Sequence, residues 1–159
     1  MCTLTSAIES YSVIPYILRF EQGENFFELE PIEPGDEWHA QGDLRFTVRA
    51  QGGTFQCSST VWCDERSLIR FCRDLSAMNR TLAGEATLTS MSPDELALKI
   101  SDIDGQGHFR FTASIGKHGY DFPHMNWNAL QVQFVFDQTL LQTAMNLSWV
   151  RAYVAQECR

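Results

Sequence analysis

Long apolar runs are missing from this sequence: none approaches the ~20 residues that a membrane-crossing helix requires. Basic residues are scarce, with 12 Lys and Arg against 20 Asp and Glu and a net charge of −8. A surplus of that sign repels nucleic acid and favours basic partners. Nothing reads as CxxC or HExxH, and no glycine-rich loop with a lysine opens a helix, so zinc and phosphate-loop chemistry lack their usual spacing. The five cysteines, Cys2, Cys57, Cys63, Cys72 and Cys158, are odd in number and irregularly spaced. That usage fits buried reduced thiols in a cytosolic chain, without a disulfide framework. The opening MCTLTSAIESYSVIPYILRF has no basic region ahead of its apolar residues, so no secretory signal is read and a cytoplasmic location is expected. Internal repeats and low-complexity tracts are also lacking.

The 159 residues, 44% hydrophobic, suit a single domain over 1–159 that folds without disulfide or metal. Two parts are expected within it: acidic strands and a loop over 1–43, and a core unit over 44–159. The charge divides along the same line. Residues 1–43 hold nine acids against Arg19 alone, whereas 44–159 hold equal numbers of acids and bases. The whole surplus therefore sits in the first quarter of the chain, either as a solvated loop or as a surface for a basic partner.

Hydrophobic periodicity supplies the elements. Val13 to Phe20, broken by Pro15, reads as an edge strand, with Phe26 to Leu29 returning across EQGEN. PIEPGDEW reads as a loop. From Leu44 the alternation is strict through Ala50, and after QGG it resumes from Phe55 to Val61, giving a hairpin. Asp64 then reads as the N-cap of a helix carrying Leu68, Phe71, Cys72, Leu75 and Met78 on one face, with Gly84 past its end. GEATLTS, ELALKIS, GHFRFTASI and WNALQVQFVF are further strands. KHGYDFPHMN reads as a loop, and Asp137 caps a last helix running toward Val154. Short turns favour antiparallel pairing. The expectation is α+β: an antiparallel sheet with two amphipathic helices packed on its apolar face.

Several words look like sites. SDIDGQGHFRF, 101–111, places two aspartates, two glycines and a histidine together, but no glutamate follows in calcium-loop register and the glycines open a strand, not a helix. A chain reversal through Asp104 and Gly105 accounts for it. His118, Asp121 and His124 fall short of a zinc set. Asp64 and Glu65 sit where a helix start favours acids. Arg66, Arg70, Arg73 and Arg80 make a basic helix face that acidic surroundings solvate more readily than nucleic acid would occupy. No catalytic residue, metal or cofactor is expected.

A family resemblance adds to this reading. From Asp43 to Val154 the order of elements resembles the WapI-type immunity proteins. It runs through TVWCDERSLIRFCRDLSAM, LAGEATLTS, ELALKISDIDGQGHFRFTASI with its DGQGH turn, and WNALQVQFVFDQTLLQTAMNL. The N-terminal 43 residues carry no such match. The resemblance implies a small cytoplasmic protein that binds and neutralises a cognate polymorphic toxin domain without catalysis, the namesake toxin class being one that cleaves RNA. A basic toxin domain would be the partner, with neither nucleic acid nor membrane. The acids Glu21, Glu24, Glu28, Glu30, Glu33, Asp36 and Glu37, with Trp38 at their end, are the candidate partner-binding residues. The competing readings are a small ligand binder or enzyme whose pocket is hidden from sequence, and a structural subunit of a larger assembly.

Overall fold

The computed structural model describes residues 16–32, 42–92, 94–121 and 123–156. Eight strands and three helices follow one another: β1 (Leu18–Gln22), β2 (Asn25–Pro31), β3 (Leu44–Gly52), β4 (Phe55–Cys63), α1 (Glu65–Thr81), β5 (Glu85–Thr89), β6 (Leu96–Asp102), β7 (His108–Asp121), β8 (His124–Asp137), α2 (Gln138–Met145) and α3 (Ser148–Ala155). The class is α+β. The strands form two antiparallel meanders: β1-β2-β3-β4, termed sheet A, and β5-β6-β7-β8, termed sheet B.

The two sheets face each other, which departs from the single helix-covered sheet expected from sequence. Strand alternation fixes which side of a strand is apolar, but not what covers it. Here phenylalanines from both sheets meet. Phe20 of β1 lies 4.9 Å from Phe136 and 5.5 Å from Phe111, Phe27 lies 5.0 Å from Phe111, and Phe111 stacks on Phe134 at 4.9 Å. Offset and tilted pairs of this kind each add ~0.5–1.5 kcal/mol beyond the area they bury. Leu18, Phe20, Phe27 and Leu29 of the acidic N-terminal part belong to the same buried cluster as the core of 44–159.

The helices complete the enclosure. α1 begins where Asp64 accepts hydrogen bonds from the Ser67 N–H at 3.0 Å and the Ser67 hydroxyl at 2.7 Å. It ends as Leu82 turns left-handed (φ 59°) and donates its N–H to the Met78 carbonyl. Leu68, Phe71, Cys72, Leu75 and Met78 are buried, and the helix packs on β5, α2 and α3. The expected last helix is two: α2 stops at Asn146, and α3 restarts after Leu147, turning Trp149 against Phe46 at 5.4 Å.

KHGYDFPHMN is not a loop. β7 and β8 pair without interruption from His108↔Asp137 to Asp121↔His124. β6 ends its pairing with β7 at Leu96↔Ile115, so the rest of the hairpin extends as a two-stranded ribbon. Just ahead of that stretch stands Gly116, where a Cβ would fall 2.1 Å from the Trp127 ring. The absence of a side chain is what lets that indole lie across β7.

Candidate interaction surface

The outward face of sheet A carries the charged residues of the N-terminal part. β1 and β2 are joined at Gly23 (φ 58°), leaving Glu24 exposed at the turn. Cross-strand register places Arg19 opposite Glu28, and Glu28 opposite Arg49. These pairs become a row of ion pairs. Arg19 meets Glu28 and also Glu21 (2.7 Å), and Arg49 meets Glu28 (3.5 Å) and Glu30 (2.8 Å). Burial works against the Arg19 charge, but hydrogen bonds to Glu21 and Glu28 outweigh it and raise its pKa. The Glu30 hydrogen bond does the same for Arg49.

This folding alters the meaning of the charge ledger. Glu21, Glu28 and Glu30 share their surface with Arg19 and Arg49, two arginines from distant parts of the sequence. Exposed ion pairs of this type contribute little stability individually, ~0–1 kcal/mol, but they offset most of the negative charge over that part of the sheet. Arg45 also faces outward, 6.0 Å from the centre of the half-exposed Trp62 ring. Glu24 stands apart from the row. Glu33, Asp36, Glu37 and Trp38 lie outside the described residues, as do Cys2 and Cys158.

The attachment points of that acidic stretch are defined. On one side the Ile32 N–H bonds the Arg45 carbonyl at 2.9 Å. On the other, Gly42 donates its N–H to Glu65 Oε1 (3.1 Å) and accepts the Tyr153 hydroxyl (2.7 Å), while Asp43 accepts the Glu65 N–H (2.9 Å). The stretch therefore leaves from the end of β2 and returns at the N-terminus of α1.

The other candidate residues have structural partners. Asp102 accepts the Gly84 N–H at 3.3 Å, and Asp104 accepts the Gln106 N–H at 2.8 Å and contacts His108 Nδ1 at 2.6 Å. Those bonds, the Gln106 one first, hold the Asp104 carboxyl below its ordinary pKa. The reversal spans 103–107, and the left-handed positions are Gly105 (φ 69°) and Gly107 (φ 95°). His118 stands in β7 with its ring 4.4 Å from that of Trp127. Among the described residues no three His, Cys, Asp or Glu side chains converge as a metal set. Cys57, Cys63 and Cys72 are free thiols; burial pushes Cys63 up to about 12 and Cys72 upward as well, which leaves them unreactive near neutral pH. Among the described residues no helix is long and apolar enough to cross a membrane.

Sequence reasoning passed over Met125 and Trp127, which are 70% and 45% exposed on the ribbon. The signal was present: Leu130, Val132, Phe134 and Phe136 alternate inward, so odd-numbered residues of the same strand must face out.

Comparison with known proteins gives one family. The model of the immunity protein WapI-like family matches residues 17–147. The match takes in β1 and β2, which the sequence resemblance left out, and stops before α3. No curated protein matches the chain. Among solved structures, the siderocalin Ex-FABP, described as functioning through dual ligand specificities, aligns at 10% identity. It covers 83% of this chain and 69% of that one, with a TM-score of 0.27, too low to support any inference.

Proposed function

The chain belongs to the immunity protein WapI-like family, and on that premise we propose that it protects its host cell by binding a cognate toxin domain in the cytoplasm and blocking it without catalysis. The family match over 17–147 is the observation that carries this reading. The side chains that looked most like a site, Asp102, Asp104 and His108, hold a turn together.

The proposed partner is a basic domain, for which a nuclease is a natural candidate because its substrate site must attract phosphate. Acidic residues can occupy such a site and steer its approach. The segment from Glu21 to Trp38 is the proposed contact. Within it, Glu24 is exposed and clear of the ion-pair row, whereas the Glu28 carboxylate already bridges Arg19 and Arg49; Glu33, Asp36 and Glu37 enter the proposal on their charge alone.

The test is direct. The gene immediately upstream of this chain is sought for a toxin domain, and that domain is expressed under an inducible promoter, with and without this chain. Survival only in its presence, together with a purified complex, supports the reading. Cell death despite abundant folded protein, with no complex formed, would refute it.

A further inference from the structure

β8 is an edge strand of sheet B, and the two halves of its free edge are covered differently. Toward its C-terminal end sheet A shields it. Gln22 Oε1 accepts the Val135 N–H at 3.0 Å, and Gly52 approaches so closely that a Cβ there would lie 3.8 Å from the Gln131 carbonyl oxygen. In an antiparallel pair, successive residues direct their backbone groups alternately toward and away from the neighbouring strand. The Val135 bond points away from β7, and the β7–β8 register contains no bulge. Met125, Trp127 and Ala129 therefore direct N–H and C=O groups outward as Val135 does. No hydrogen-bond partner for those groups exists among the described residues.

Open edges are normally defended by charge, proline, bulges or shortness. β1, one of the two edges of sheet A, has five residues and carries Arg19 and Glu21. The stretch HMNWNAL, 124–130, has no acid, lysine, arginine, proline or glycine. It also presents two exposed apolar side chains, Met125 and Trp127, and the indole is held in place over Gly116 and beside His118.

The geometry points to the Met125–Ala129 edge as a site of strand addition, where an extended segment of the cognate toxin domain pairs with the backbone of Met125, Trp127 and Ala129. Trp127 and Met125 then serve as side-chain anchors beside the added strand. This rests on the toxin-binding reading above and gives it a second contact, away from the acidic segment. A second copy of this chain could meet the same edge. Two chains of net charge −8 repel each other, however, while a basic domain is attracted.

Amide hydrogen exchange on the wild-type protein, free and with the purified toxin domain, tests this. The amides of Met125, Trp127 and Ala129 should slow at least tenfold in the complex. Two variants read the same edge through affinity. Ala129→Pro removes an N–H that β7 does not use, as proline at an edge permits, and Met125→Lys adds the missing charge. Each should weaken binding at least tenfold while circular dichroism stays as in the wild type. A complex in which the three amides exchange as in the free protein overturns strand addition and leaves toxin binding standing. Absence of any complex with the wild type overturns both. Slowing that grows with protein concentration without toxin, alongside a dimer in sedimentation, assigns the edge to a second copy and also overturns the proposal. Because the exchange measurement uses the wild type, a variant that misfolds does not remove the test.

Discussion

The Tyr153 hydroxyl donates a hydrogen bond to the Gly42 carbonyl at 2.7 Å, joining α3 to the point where the acidic stretch re-enters the fold. A second bond from the same helix, Trp149 Nε1 to the Tyr16 carbonyl at 2.8 Å, fastens the chain just before β1. Both aromatic side chains are fully buried, and burial pushes the Tyr153 phenol pKa upward. α3 lies beyond the family match, yet it holds both Tyr16, just before β1, and Gly42, just before β3.

Tyr153→Phe isolates the hydroxyl. It keeps the ring and leaves the Gly42 carbonyl without that donor, so it should cost ~0.5–1.5 kcal/mol. Tyr153→Ala also opens a cavity and should cost ~3–5 kcal/mol. Urea unfolding midpoints, with unchanged slope, measure both. Equal stability of Tyr153→Phe and the wild type would mean that the hydroxyl bond contributes nothing.

Gly116→Ala should displace the Trp127 indole, since the new methyl would overlap ring carbons at 2.1 and 2.2 Å and approach the Asp94 carbonyl at 2.8 Å. Overpacking of this kind costs ~1–3 kcal/mol. A double-mutant cycle with Trp127→Ala should recover part of the loss, because the ring half of the clash is then gone. Additive costs would show that Trp127 does not rest on Gly116.

Asp64→Ala should remove ~1 kcal/mol by uncapping α1. The pH dependence follows from the direction of its shift. The hydrogen bond with Ser67 leads the causes that hold the Asp64 carboxyl below its ordinary value of 3.8. A depressed folded pKa gives stability that is present above the unfolded value and lost as pH falls through the folded one. The cap should therefore act fully at neutral pH and fade below about pH 4. Thermal unfolding from pH 7 to pH 2 should show the variant and wild type converging at the acid end. A constant gap across that range would assign the cost to something other than the charged cap.

Much of this architecture is legible in the residues. Leu44 to Ala50 and Phe109 to Ile115 alternate strictly, and Asp64 stands ahead of a helical apolar face, so local physics alone places β3, the first half of β7 and α1. What covers each apolar face is decided by distant partners. Phe20 and Phe111 are far apart in sequence, and nothing near either indicates that two sheets meet there. The ribbon was hidden because Gly116, Gly119 and Pro123 are turn-forming residues by propensity, while its strand state comes from register with β8 and from an indole filling the space over Gly116. Charge was misleading for a related reason. The sequence total assigns Glu21, Glu28 and Glu30 to an unbalanced segment, but folding brings Arg49 across from β3 to two of them.

That redistribution determines how the acidic contact should be tested. Neutralising Glu28 would remove the carboxylate that bridges Arg19 and Arg49 and confound binding with stability. The informative variant changes Glu24, Glu33 and Glu37 to Gln and Asp36 to Asn, leaving the ion-pair row intact. Long-range attraction is screened within a Debye length of ~8 Å at physiological salt, and electrostatic complementarity acts mainly on the encounter rate. Association with the cognate toxin domain should therefore slow about tenfold or more in the variant, and its salt dependence should flatten, with dissociation changed much less. Protection in cells should fall accordingly. The comparison is Arg66→Ala with Arg70→Ala, two exposed positions on α1, which should retain full protection. If the folded acid variant protects fully while the arginine variant fails, the toxin docks on α1 and the acidic segment is not its contact.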